Sequence, residues 1–186
     1  MKYIKFFFIS YTVVLVSSCG NNTETPVAPP AKSMITLHEE LLKNIKTQEV
    51  EMHKSLELNT AIAGTAIKAY YDFTSAFPQD SLTPDFIFKS AEIQTATQQY
   101  PQALVSYQTI ENNYSNYKLY PESLFLEASL LDNYINDDAK AKVVYEKVID
   151  KFPTSSFATD AKAAIGNLGK SDEELHKEFM KKNKEK

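Results

Sequence analysis

Residues Tyr145–Lys162 read YEKVIDKFPTSSFATDAK. Tyr145 is followed by Val148, then Phe152, then Pro153, and Ala141 stands one helical turn before the tyrosine. The same rhythm occurs twice upstream. Ala66, Tyr70, Phe73, Phe77 and Pro78 form one copy; Ala103, Tyr107, Ile110, Tyr114 and Ser115 form another. The three tyrosines stand 37 and 38 positions apart. A second pattern keeps this period: Pro84, Ile87, Phe88, Ala91 and Ile93 recur 37 positions later as Pro121, Leu124, Phe125, Ala128 and Leu130. Two independent patterns at one period mark a structural repeat.

Steps of three, four and seven put the apolar residues on one stripe of an α-helix. A small alanine facing a large tyrosine lets two helices approach closely. The proline after the aromatic ends its helix. Pro84 and Pro121 fall in a first helical turn, where a missing N–H is no loss, and Thr83 is expected to cap. Pro101 opens the partner helix of the middle unit, and Asn136-Asp137-Asp138 offers caps in the last. Each unit therefore reads as helix, short turn, helix and connection.

This pattern resembles the tetratricopeptide repeat, a helix–turn–helix unit of about 34 residues. Ala103 and Tyr107 match its second helix; Ala91 and Ala128 match the small position of its first. The family's tryptophan is absent, and the excess length falls in the connections 78–83 and 115–120. Such connections resemble those of the BamD- and YbgF-type periplasmic branch. The resemblance implies an all-α, right-handed α–α superhelix of about three repeats over residues 61–168. Tyr70, Tyr107 and Tyr145 are expected to be spacers between helices.

Residues 34–58 carry Leu37, Leu41, Ile45, Met52 and Leu56 at helical spacing, an amphipathic helix expected to pack on the first repeat. Asn59-Thr60 should break it and cap the next. After the third unit one more helix is expected, closed by Gly169. Ser171-Asp172-Glu173-Glu174 is a capping box opening a final helix, with Leu175 and Phe179 expected to pack back and seal the last repeat.

The chain opens MKYIK, continues with an apolar run of 11 residues, Phe6 to Val16, and then reads Ser17-Ser18-Cys19. A basic start, a short apolar run and small residues have the layout of a secretory signal; the run is too short to span a bilayer, which takes about 20 residues. Cys19 is the only cysteine. Its setting resembles the bacterial lipoprotein signal, in which the cysteine is acylated and becomes the new N-terminus. Acyl chains would anchor the protein to a membrane. Gly20 at the next position implies, by that resemblance, the outer membrane, facing the periplasm. The expected organisation is a signal over 1–18, a tether over 19–33, a helix over 34–58, repeats over 59–170, and a capping helix with a charged tail over 171–186.

The formal net charge is −4 and there is no arginine, so the fork that reads phosphate and guanine is missing and nucleic acid is excluded as a partner. His38, His53 and His176 lack metal-ligand spacing, and no phosphate loop or nucleophile elbow occurs. No cofactor and no catalytic residue is expected. Asp80-Ser81-Leu82 resembles a short O-glycosylation site of exported bacterial proteins, with Ser81 the acceptor.

By the family's geometry, Asp85, Phe88, Glu92 and Thr95 face a partner groove in one unit, and Glu122, Phe125, Ser129, Asp132 and Asn133 in the next. This mixture of acids and aromatics suits an extended or helical segment with basic and apolar residues. Plain core packing is the competing account of Phe88 and Phe125. The expected function is a lipid-anchored, non-enzymatic scaffold for an envelope protein or peptide segment, supporting outer-membrane protein assembly. The alternatives are a division- or peptidoglycan-linked adaptor, a lipoprotein binding a small molecule or glycan, and an anchored hydrolase.

Overall fold

The computed structural model describes residues 33–54 and 59–184. The expected signal, Cys19, the tether before Ser33, and Leu56 lie outside the described residues. The elements are helical throughout: α1 (Met34–Lys54), α2 (Thr60–Ala76), α3 (Thr83–Ala96), α4 (Tyr100–Asn113), α5 (Tyr120–Leu130), a π-helical turn (Leu131–Ile135), α6 (Asp138–Lys151), α7 (Ser156–Ile165) and α8 (Asp172–Lys184). From α1 to α7 each helix packs on the next in chain order, and α5 also touches α7. The fold is a stack of helix–turn–helix units of the tetratricopeptide type.

The period is written in the packing. Ala66, Ala103 and Ala141 have no exposed surface, and neither do Ala91 and Ala128. Tyr70, Tyr107 and Tyr145 are buried beside them. Two clusters result. The first joins Ile45 of α1, Ala66, Ala69, Tyr70 and Phe73 of α2, and Phe86 of α3, with Leu41, Leu42 and Met52 packed on it. Phe86 stacks on Tyr70 and meets Phe73 edge to face, at centroid distances of 5.4 and 5.0 Å. The second cluster runs from Phe88 to Ala161. Thus α3 supplies Phe86 to one core and Phe88 to the other.

The connections repeat as faithfully as the helices. Phe77, Tyr114 and Phe152 end α2, α4 and α6 with φ of −129°, −134° and −132°. Their N–H groups donate to the Phe73, Ile110 and Val148 carbonyls. Asp80, Tyr117 and Ser155 then donate back to those three aromatic residues, and Thr83, Tyr120 and Ala158 donate to Asp80, Tyr117 and Ser155. These bonds satisfy carbonyls that a helix end leaves orphaned. Tyr114 reaches this geometry with Ser115 after it, so the prolines at 78 and 153 reinforce the stop rather than create it.

Asn59 caps α2 as expected, its side chain accepting from Ala61 and Ile62 N–H. Asp137 does the same for Lys140 at the start of α6. Thr83 departs from expectation. Leu82 holds the cap position, while Thr83 is fully buried and its hydroxyl donates to the Phe77 carbonyl at 2.6 Å. Asp80 supplies the side-chain acceptor instead, taking the Leu82 N–H at 2.8 Å.

The π turn has a physical cause in the uneven period. Phe88 and Phe125 are 37 positions apart, whereas Gln98 and Asn136 are 38 apart. The latter two are equivalent, both left-handed with φ of 62° and 58°. One extra residue therefore enters between Phe125 and Asn136. A π turn is wider than an α turn and absorbs it.

Gly169 is also corrected. Helix α7 ends at Ile165 with Gly166 in the cap position, and Gly169 lies further on at φ +72°. A Cβ there would stand 3.3 Å from Asp138 Oδ2, so both backbone and space favour glycine. The capping box forms: Glu174 N–H donates to Ser171 Oγ, and Ser171 N–H to Glu174 Oε2. Leu175 of α8 is half-buried, lies outside both clusters and lines a hollow with Phe125 and Ala164. The Phe179 side chain lies outside the described residues.

Candidate partner groove

Residues of α5, the π turn, α6, α7 and α8 line an open groove of about 760 Å³. Four expected residues meet here: Phe125, Ser129, Asp132 and Asn133. Phe125 and Ser129 come from one face of α5. The π turn then carries the next two. Phe125 is half-buried, its ring 5.6 Å from both Tyr145 and Phe157. Asn133 Nδ2 donates to the Ser129 carbonyl at 2.9 Å and to its hydroxyl at 3.1 Å. Tyr145 donates its hydroxyl to Asp132 Oδ2 at 3.4 Å. Burial first, and then the Asp138 charge, raise the Asp132 carboxyl above its ordinary value. Tyr145, Asn136, Asp138, Asn167, Lys170 and Leu175 complete the wall. The surface is thus the Phe125 ring, backed by buried Tyr145, beside two neighbouring acids and several amides.

The other expected residues go elsewhere. Phe88 is 5% exposed and packs against Tyr107 and Tyr117, so it is core and not groove surface. Asp85 is spent inside the fold: it accepts from the Tyr117 hydroxyl at 2.8 Å and pairs with Lys118 at 3.1 Å. These contacts tie the second connection to α3. Thr95 donates to the Ala91 carbonyl at 2.9 Å. Glu92 is exposed near Glu122; burial first and then the Glu122 charge raise its carboxyl. Glu92 lines a separate hollow with Glu49, Met52, Tyr70 and Lys89. There Glu49 Oε1 accepts from both Tyr70, at 2.9 Å, and Lys89, at 2.6 Å. Ser81 is exposed in the first connection, at a cleft it shares with the second.

No sequence motif marks the Glu49–Tyr70–Lys89 cluster, which joins α1, α2 and α3. Tyr70 reads as a spacer, and nothing in its spacing reveals that its hydroxyl reaches α1. Tyr145 is the spacer its spacing predicts, 1% exposed, and its hydroxyl reaches Asp132 at the floor of the groove. His38 packs against Phe73 and Phe77 and lies 2.9 Å from Asp80 Oδ2. Among the described residues, no three His, Cys, Asp or Glu side chains are grouped to hold a metal ion, and no helix is long and apolar enough to cross a membrane.

Stacked helical hairpins with an open groove along their first helices define a helical-repeat module. The family model for the Tetratricopeptide repeat matches residues 122–155, from the first turn of α5 through α6 to the third connection. The match supports a tetratricopeptide-repeat protein, the class of scaffold that presents helical surfaces to protein partners. No curated protein matches the chain.

Proposed function

We propose that this chain is a lipid-anchored, non-enzymatic interaction scaffold of the bacterial cell envelope. Its α5–α7 groove takes a partner segment that carries basic and apolar side chains. One observation carries the reading: the half-buried Phe125 ring, backed by the buried Tyr145, stands with Asp132 and Asp138 in a single open groove. Phe125 supplies apolar area, and half-buried Asp132 beside exposed Asp138 favours a cation that would relieve their repulsion. Anchoring rests on Val16-Ser17-Ser18-Cys19 and the apolar run before it. Placement at the outer membrane, facing the periplasm, rests on Gly20 after Cys19 by resemblance to lipoprotein sorting, and the role in outer-membrane protein assembly rests on the resemblance to the periplasmic branch. Ser81, exposed on its turn, is the proposed acceptor of an O-glycan.

The test is a photo-crosslinking residue at Phe125 in cells. A specific envelope protein should be captured, through a segment with lysine or arginine beside apolar residues. Capture should fall at least tenfold when Asp132→Lys and Asp138→Lys are combined. Capture that ignores the charge reversal overturns the groove. For the anchor, Cys19→Ala should abolish labelling by radioactive palmitate and release the protein from the membrane fraction. Persistent labelling would overturn the lipid attachment.

A further inference from the structure

Helix α3 lies over α2 and α4, and Ser90, Thr74 and Thr109 gather at that seam. Ser90 is 8% exposed. The two threonine hydroxyls turn to carbonyls of their own helices, those of Tyr71 and Val105. One repeat later the equivalent residues are Glu127, Glu111 and Lys147. Three small hydroxyl residues have become two acids and a base, where α5 lies over α4 and α6.

The three charged groups are not equally served. Lys147 Nζ pairs with Glu111 Oε1 at 2.8 Å, towards the outside of the seam. Glu127 is 2% exposed. Gln108 of α4 hydrogen-bonds to its carboxyl, but Oε2 has no partner among the described residues. Ser123 Oγ, one turn earlier on α5, has none either. A buried carboxylate with an unserved oxygen is costly, whereas a neutral carboxyl is tolerated far better. The groups facing it are Gln108 and Glu111 from α4, Lys147 from α6 and Ser123 from its own helix. Among the described residues, α7 and the π turn put no charge against it. Burial first, and then the Glu111 charge, push the carboxyl up to about 7, against Lys147 and Gln108, which pull it down.

We propose that Glu127 is a proton-operated latch on the third hairpin: its neutral carboxyl closes the α4–α5–α6 seam, and loss of the proton loosens that seam and shifts α5. Helix α5 carries Phe125 and Ser129, so the latch acts on the groove wall, although it does not depend on what the groove binds. The direction follows from proton counting. The folded chain keeps a proton that the unfolded chain releases between about 4.5 and about 7. Seam stability therefore falls as pH rises through that window and levels off above it.

The full chain is tested by amide hydrogen exchange between pH 5 and 8, corrected for the intrinsic pH dependence of exchange. Opening of α5 and α6 should rise by up to about tenfold per pH unit within the window, the limit for one linked proton. Glu127→Gln should abolish this rise, and α1 and α2 should not show it. In the wild type, the Glu127 carboxyl carbon should titrate well above the ordinary glutamate range by NMR. Parallel pH profiles for wild type and Glu127→Gln, or titration in the ordinary range, overturn the latch. If Glu127→Gln does not fold, Glu127→Ser, the residue used by the first seam, replaces it, and the wild-type titration still decides.

Discussion

Ala66, Ala103 and Ala141 each present a methyl group to a neighbouring helix and keep no exposed surface. A longer side chain there has nowhere to go without parting two helices. Ala103→Leu is expected to destabilise the protein by about 1–3 kcal/mol. Ala163→Leu, on the exposed face of α7, should change it by less than about 0.5 kcal/mol. Urea denaturation of both variants measures the contrast. Tyr70 is a second test at this scale. Its ring is core, but its hydroxyl donates to Glu49, which also holds Lys89. Tyr70→Phe keeps the ring and removes that bond, and should lose about 1.5 kcal/mol, since a bond to an ionised acceptor exceeds an ordinary one. The double variant with Glu49→Gln should lose less than the sum of the single changes, because the two groups share one network.

At the scale of the element, the connections fix how one helix follows another. Asp80 takes the Leu82 N–H and faces His38, so it holds the start of α3 against α1. The Leu82 bond first, and then His38, keep its carboxyl below the ordinary aspartate value despite some burial. A depressed carboxyl adds stability above the unfolded value, and that stability is lost as pH falls through the folded one. Asp80→Ala should cost about 1 kcal/mol at neutral pH, as loss of a cap does. The difference from wild type should shrink towards pH 3, as followed by denaturation at both values. The element scale also shows what could be read in advance. Alanine–tyrosine spacing placed α2, α4 and α6 because only one helical face can hold residues at steps of three and four. Asn59 and Asp137 were legible as caps, since their short acceptors reach the next turn locally. Thr83 was not legible for the opposite reason: its hydroxyl, which as a cap would accept a first-turn N–H, instead donates to the Phe77 carbonyl across the connection. The π turn follows from the 38-residue interval only once Gln98 and Asn136 are known to share a left-handed backbone.

At the scale of the whole molecule, the described residues form two cores joined through α3. The first core has six buried residues and the second fifteen, so opening should begin at the α1–α2 end. In a repeat protein each unit is held mainly by its neighbours, and such ends open alone. Native-state hydrogen exchange under mild denaturant should show α1 and α2 exchanging at lower free energy than α4 to α6; equal protection throughout would mean one cooperative block. The groove was legible only in part at this scale. Phe125, Ser129, Asp132 and Asn133 share a helix and its continuation, so helical register could place them together. Glu92 and Asp85 could not be placed, because their surroundings depend on α1 and on the second connection, which local spacing does not reach.

The first two connections share one hydrogen-bond ladder, one set of closing angles and a leucine at the next helix's cap, so those two hairpins hand the chain on in closely matching poses. A copy of residues 84–120 inserted after Tyr120 would thus begin and end on matching joints, with Pro84 taking up where Pro121 now stands. Length in such a chain is a matter of counting cassettes: evolution, or a designer, could add reach without redrawing a single corner.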